Sequence, residues 1–213
     1  MRTPSSRARR VALFAAGPVA VLAAAGMTWQ ASYAAFTAET RNAGDSWSSG
    51  TVYLSTDSGG SARFNATNIL PSDTQTRCIK VTSTSSEPGT VKMYFLNAHP
   101  STPATPPAGM ENFIKVSVNS GDGGDFASCS GFVADSSPSQ PIVDNKSLAC
   151  LGTTYNSYAA ARGSWVTTGV VSGESKTYQI TWTFDTTGLS EAQINALMGS
   201  QVGIDFEWEI QTA

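Results

Sequence analysis

The chain has 213 residues, of which 40% are hydrophobic, and it carries 13 basic and 16 acidic side chains. Four of the basic residues are arginines within the first ten positions, so the remainder has nine basic and 16 acidic residues, a charge of −7. This balance disfavours nucleic acid and anionic membrane surfaces as partners, because both need clustered Lys and Arg. The length suits one well-formed core.

The N-terminus has the parts of a secretory signal. The positive stretch is followed by an apolar run over 11–27 and by a small-aromatic-small motif that ends at Ala34. A membrane anchor is the alternative, but a run of 17 residues is at the lower edge of what spans a bilayer. We expect signal peptidase to cut between Ala34 and Ala35, which leaves a mature chain without membrane association.

Alternating apolar and polar residues predict strands along most of the mature chain. The weaker segments are 51–55, 62–69, 77–82, 90–96, 113–118 and 165–171. The clearest are the last two, Tyr178–Phe184 and Val202–Ile210, each with one apolar and one polar face. Short strands separated by Gly, Pro, Ser and Asp turns predict an all-β antiparallel fold, either a sandwich or a barrel.

Loop insertions and one helix interrupt the strands. The stretch at about 97–110 is rich in Pro, and the stretch at about 120–161 is rich in Gly, Ser and Asn. A capping box at Ser190 and Gln193, followed by apolar positions and Gly199, predicts one short helix before the last strand.

Three cysteines, Cys78, Cys129 and Cys150, follow the signal. In an oxidising compartment they predict one disulfide and one remaining thiol. A Cys129–Cys150 bond would close the shorter loop, whereas Cys78–Cys129 would tie a predicted strand to the middle of the chain. The sequence does not choose between them.

Residues that carry catalysis are scarce. The single histidine, His99, lies in the Pro-rich stretch, and the chain has no G-x-S-x-G or H-E-x-x-H motif. Asp122 and Asp125 in a Gly-rich segment are too few for a Ca²⁺ site, so they predict a solvated turn. We therefore expect no catalytic residue, no metal and no cofactor.

Two further groups have a structural explanation. Glu207 and Glu209 are paired carboxylates of the kind that hydrolyse glycosides, but the polar face of an alternating strand explains them more simply. Five aromatic residues could form a sugar-stacking platform, although core packing is the default for residues on apolar strand faces. They are Trp165, Tyr178, Trp182, Phe206 and Trp208.

Several short motifs, taken together, are typical of one known family. The junction at 32–36 resembles signals cut by the SipW type of signal peptidase, and 46–54 is similar to the F-x-x-G entry to the family's first strand. The turn at 68–74 is similar to the family's N-L-x-P-G-D turn, with Ser72 in place of Gly. The two C-terminal aromatic strands also fit, whereas the middle, 97–175, does not align. Together these motifs resemble the TasA/camelysin family.

The resemblance implies a jelly-roll-like β-sandwich exported to the bacterial cell surface or biofilm matrix, where TasA-like members form fibres. Assembly in the family is thought to use the mature N-terminal segment as a strand donated to the next subunit. Here the segment is 35–47, with Phe36 and Trp47 as its large apolar residues, and a flexible leader is the alternative. The camelysin name also implies metallopeptidase activity, which one histidine does not support.

The expected organisation is a signal peptide at 1–34, a leader or donor strand at 35–47, and a β-sandwich domain at 48–213. The expected function is that of a secreted structural protein that self-associates into filaments, with matrix or cell-wall components as further partners. The alternative is a monomeric surface adhesin or glycan-binding module that uses the loops of 97–161.

Overall fold

The structure, a computed structural model, describes residues 37–40, 52–59, 64, 66, 68–102, 109–136, 140–170 and 172–212, with only the backbone of 37–40 and 102. Its strands are β1 (Thr37–Thr40), β2 (Leu54–Thr56), β3 (Thr74–Ser83), β4 (Gly89–Thr102), β5 (Ile114–Asp122), β6 (Val133–Ala134), β7 (Val143–Ser147), β8 (Arg162–Thr167), β9 (Glu174–Phe184) and β10 (Gln201–Gln211). The helices are α1 (Leu148–Thr154) and α2 (Glu191–Ala196), with 3₁₀ turns at Met110–Asn112 and Tyr158–Ala160. Within these ranges no helix is long and apolar enough to cross a membrane.

The strands form two sheets. One has four strands in the order β1-β10-β4-β8, and the other has six, β2-β3-β9-β5-β6 with β7 also on β5. Each pair whose register the structure gives is antiparallel. The predicted all-β antiparallel sandwich with a short helix before the last strand is confirmed.

The core lies between the two sheets and follows directly from the period-two pattern. In β9, Tyr178, Ile180, Trp182 and Phe184 are all buried, whereas the residues between them face outward. In the opposite sheet, the antiparallel pairing of β4 with β10 places Phe95 beside Phe206 and Met93 beside Trp208. Full burial of an apolar side chain of this size contributes about 1.5–3 kcal/mol, so these strands supply much of the folding energy.

The helix before the last strand forms as predicted. Ser190 Oγ accepts a hydrogen bond from Gln193 N, and the Gln193 side chain accepts one from the backbone N–H of Ser190. Leu197 at its end is buried in the core. Because the capping box is a local feature, the sequence was sufficient to predict it.

A second helix, α1, lies inside the stretch that was predicted as a loop at 120–161. Ser147 caps its N-terminus by accepting a hydrogen bond from Cys150 N, and Leu148 and Leu151 are buried in the core. Two core-facing leucines in a segment of seven residues are too weak a periodic signal to predict a helix from the sequence. The helix is stabilised by tertiary packing instead.

Several strand boundaries also differ from the prediction, and β6 and β7 lie inside the stretch that was predicted as a loop at 120–161. Two differences are large. The described residues of 62–69 lie outside strands. By contrast, β4 continues to Thr102, well into the Pro-rich stretch, and Asn97 adopts a positive φ of 49° on the way. The extension exists because β10 supplies partners as far as the pair of Gln201 and Thr102, and a partner strand can override local turn signals.

The turn before β3 holds Ser72 in a conformation that suits glycine. Asp73 N donates to Leu70 O over 3.0 Å, and Leu70 N donates to Asp73 Oδ2 over 2.7 Å. Ser72 has a φ of +69°, the region in which Gly is favoured. The Ser therefore adopts a Gly-like backbone, at a cost in strain.

The turn between β8 and β9 forms around one carboxylate. Glu174 accepts hydrogen bonds from the backbone N–H groups of Thr168, Gly169 and Val170, at 2.9–3.3 Å. Burial opposes ionisation of Glu174, but the hydrogen bonds outweigh it and lower the pKa of this carboxyl. The ionised carboxylate thereby holds the turn in place.

Candidate functional site

The leader contributes an edge strand to the four-stranded sheet. The structure gives the backbone of β1, which lies within the predicted leader of 35–47 and pairs with β10. The predicted cleavage residues Ala34 and Ala35 and the donor-strand candidates Phe36 and Trp47 lie outside the described residues. The leader thus contains a segment that adds to a sheet edge, and this pairing is made by backbone groups.

Two buried carboxylates lie on the strand next to β1. Glu207 and Glu209 point away from the core, as the alternation predicts, but each is only 4% exposed. The expectation that the polar face of this strand is exposed to solvent is therefore wrong at these two positions. Glu209 Oε2 accepts from the hydroxyl of Tyr94 over 3.0 Å, and Oε1 accepts from Gln211 Nε2 over 2.7 Å.

The burial of this pair bears on its chemistry. Burying a carboxylate costs several kcal/mol unless hydrogen bonds compensate, and Tyr94 and Gln211 provide such bonds to Glu209. A sugar could not reach carboxylates with so little exposure. The arrangement favours a structural role, in which the pair helps to fix the side of β10 that does not face the core.

In the same sheet, a cationic side chain lies over the ring of each of two half-buried tyrosines. Lys92 Nζ lies 4.4 Å from the ring centre of Tyr158, and Arg162 Cζ lies 4.6 Å from that of Tyr155. Burial and the negative charge of Glu209 raise the pKa of the Tyr158 hydroxyl. We call these four residues, Lys92, Tyr155, Tyr158 and Arg162, the tyrosine strip.

The histidine does not lie in a loop as predicted. His99 is exposed near the end of β4, where it pairs in register with Gly203. Across the residues that the structure describes, no three His, Cys, Asp or Glu side chains are grouped so as to hold a metal ion.

The disulfide joins Cys78 to Cys129, with a Cα–Cα distance of 5.3 Å, and Cys150 on α1 keeps its thiol. This decides between the two pairings left open by the sequence. Cys78 lies on the outward side of β3, since its register partner Gln179 alternates with the core residues of β9. The bond therefore holds the middle of the segment 122–135, which we call the strap, against the outer face of the six-stranded sheet.

The ends of the strap meet at one lysine. Lys176 Nζ lies 3.3 Å from Asp122 Oδ1 and 2.9 Å from Asp135 Oδ1. Burial opposes ionisation of Asp135, but hydrogen bonds from Lys176 and Ser120 outweigh it and lower the pKa of this carboxyl. Asp125 instead accepts hydrogen bonds from two N–H groups of its own turn. Of the two carboxylates considered for calcium, Asp122 thus pairs with Lys176, whereas Asp125 stabilises its own turn.

The aromatic residues considered for sugar binding belong to the core. Tyr178, Trp182 and Trp208 are buried, and Trp165 and Phe206 pack against them. Trp165 Nε1 donates to the Tyr178 hydroxyl over 3.0 Å, and burial raises the pKa of that hydroxyl. The expectation of core packing is confirmed.

No protein-family model matches the chain, and no curated protein matches it at a significant level. The resemblance to the TasA/camelysin family therefore rests on the sequence motifs alone.

Proposed function

We propose that this chain is a secreted structural protein of the bacterial cell surface or extracellular matrix, and that it assembles into fibres through its leader. The observation that carries the proposal is the pairing of β1 with β10 at the edge of a sheet. A strand that pairs with β10 of its own chain can make the same backbone ladder with β10 of the next chain. Such head-to-tail donation does not close on itself, so it produces filaments.

Two further features support the proposal. The Cys78–Cys129 bond suits an oxidising compartment outside the cytoplasm, in line with the secretory signal of the sequence. The sequence of β1, Thr-Ala-Glu-Thr, lacks proline and large apolar residues. Its pairing therefore depends on main-chain hydrogen bonds, which are the same within a chain and between chains.

The direct test is assembly of the mature chain, 35–213. We expect electron microscopy to show filaments as the concentration rises, and native mass spectrometry to show oligomers that differ by one subunit. Deletion of 35–47 should leave monomers. Monomers of the undeleted chain under all conditions, or filaments that survive the deletion, would contradict the proposal.

Adjacent proline substitutions provide a matched pair of variants. Successive N–H groups of a strand point to opposite sides, so proline at Ala38 and proline at Glu39 remove different donors. We expect one of Ala38→Pro and Glu39→Pro to block assembly much more strongly than the other. If both variants assembled as well as the unaltered chain, β1 would not be the donated strand.

A monomeric adhesin or glycan-binding module is the second candidate. The tyrosine strip favours it, because half-buried rings beside cations are suitable surfaces for sugars. A glycan array probed with the mature chain and with Tyr155→Ala and Tyr158→Ala variants would test it. Binding that both variants abolish would favour this function, and absence of binding would remove it. No observation supports a metallopeptidase, so we do not propose one.

A further inference from the structure

The strap is held at its ends by polar contacts and by the pairing of β6 with β5, and in its middle by one hydrogen bond and the disulfide. At its ends Lys176 bridges Asp122 and Asp135, and in its middle Phe126 N donates to Asp57 Oδ2 over 2.6 Å. The contacts of Asp122 and Asp57 lie at the surface, where an ion pair contributes about 0–1 kcal/mol, whereas the Lys176–Asp135 pair is partly buried. The covalent bond to Cys78 is therefore the strongest link between the middle of the strap and the sheet.

The sheet beneath the strap does not depend on that bond. In the ladder between β3 and β9, residues 74–83 pair continuously with residues 174–183. On the other side of β9, β5 pairs from Ile114 to Gly121. The core residues of all three strands are buried between the sheets. Loss of the disulfide would leave these contacts intact.

The strap also packs closely against the sheet. A Cβ at Gly121 would clash with β6, its partner strand, and would also come within 2.9 Å of the Phe132 ring of the strap. Thr177, the register partner of Gly121 in β9, is 2% exposed although it faces outward. Opening of the strap would therefore expose an outer surface that is covered in the oxidised protein.

The two cysteine residues of the bond differ in exposure. Cys78 is 0% exposed, whereas Cys129 is partly exposed. Thiol–disulfide exchange requires a thiolate to reach the sulfur that it attacks. An external thiolate therefore reaches Cys129, the more exposed residue of the pair, more readily than Cys78.

We propose that the Cys78–Cys129 bond is an exchangeable lock on the strap, opened by a dithiol that attacks Cys129. The thiolate forms a bond to Cys129 Sγ, the Cys78–Cys129 bond breaks, and Cys78 leaves as a thiolate that takes a proton from water. The second thiol of the reductant then attacks its own mixed disulfide and releases Cys129. The protein gains two electrons and the dithiol becomes a disulfide. This inference does not depend on fibre assembly.

The first test identifies the attacked sulfur. The full chain carries Cys150→Ser, which removes the cysteine outside the disulfide. It is treated with glutathione under native conditions, and the thiols that form are then alkylated. Peptide mapping should find glutathione on Cys129 at least about tenfold more often than on Cys78. Equal labelling, labelling mainly on Cys78, or reaction only after unfolding in urea would overturn the proposal.

The second test asks whether the strap opens on its own. Hydrogen exchange of the same full chain is compared before and after reduction with dithiothreitol. We expect amides of 123–132 to exchange at least about tenfold faster, while amides of 178–184 in β9 change less than about twofold. Unchanged strap amides, or β9 amides that accelerate together with the strap, would refute a local lock.

Discussion

Removal of the disulfide provides the sharpest quantitative prediction. The perturbation is the double variant Cys78→Ala and Cys129→Ala, which removes the bond without adding a buried hydroxyl at Cys78. The bond links residues 51 apart in sequence. For a loop of that size the chain-entropy relation gives about 14 cal/mol/K, or about 4 kcal/mol at 25 °C.

The measured loss should be somewhat smaller than this value. The relation counts only the entropy that the unfolded chain regains, whereas the strap would also gain freedom in the folded variant if it opens locally. We therefore expect the free energy of unfolding to fall by about 2–4 kcal/mol, which for a chain of this size lowers the Tm by roughly 4–16 °C.

Urea unfolding followed by tryptophan fluorescence measures this loss. The matched control is Cys150→Ala, which removes a cysteine that forms no disulfide and should change stability by less than about 1 kcal/mol. Reduction of the unaltered chain should reproduce the double variant. A loss below about 1 kcal/mol, or a control that loses as much as the double variant, would refute the reasoning.

Three smaller predictions concern local contacts. Ser72→Gly should stabilise the fold by about 0.5–1 kcal/mol, because glycine adopts the positive φ of this position without strain. The control is Ser86→Gly, which should not stabilise the fold because the φ of Ser86 is not positive. Equal effects of the two substitutions on urea unfolding would contradict this prediction. The lowered pKa of Glu174 means that its stabilisation is present above the unfolded pKa of about 4.3 and is lost as pH falls through the lower folded pKa. Protection of the turn amides against hydrogen exchange should therefore fall only in acid, and Glu174→Gln should remove this pH dependence. A protection profile that is the same in the variant would refute this prediction. Trp165→Phe should cost about 1–2 kcal/mol by removing a donor to the buried Tyr178 hydroxyl, and less when Tyr178→Phe is also present; strictly additive losses would contradict it.

The strands were predictable wherever burial on one face alone determined the pattern. Residues 178–184 and 202–210 alternate strictly because one side of each strand meets the core, and both lie in observed strands. The capping box at Ser190 was equally readable, since its partners are three residues apart. Features with short sequence separation or a fixed period need no knowledge of the rest of the fold.

Burial on the outward side was not predictable in the same way. Glu207 and Glu209 read as a solvated face, yet both are buried. The alternation of side chains along a strand determines to which face of the sheet each side chain points. It does not determine what covers that face. Tyr94, a hydrogen-bond partner of Glu209, is 115 residues away in sequence, so no local signal could have revealed the contact.

By itself, the sequence determined the antiparallel all-β class, the capped helix and the number of cysteines available for a disulfide. Only the tertiary structure decided that Cys78 pairs with Cys129, that β4 continues to Thr102, and that the Gly-rich segment lies as a strap across a sheet. The physical reason is the range of the interactions. Periodicity and capping act over a few residues, whereas sulfur pairing, strand extension and strap packing depend on partners that only the folded chain brings together.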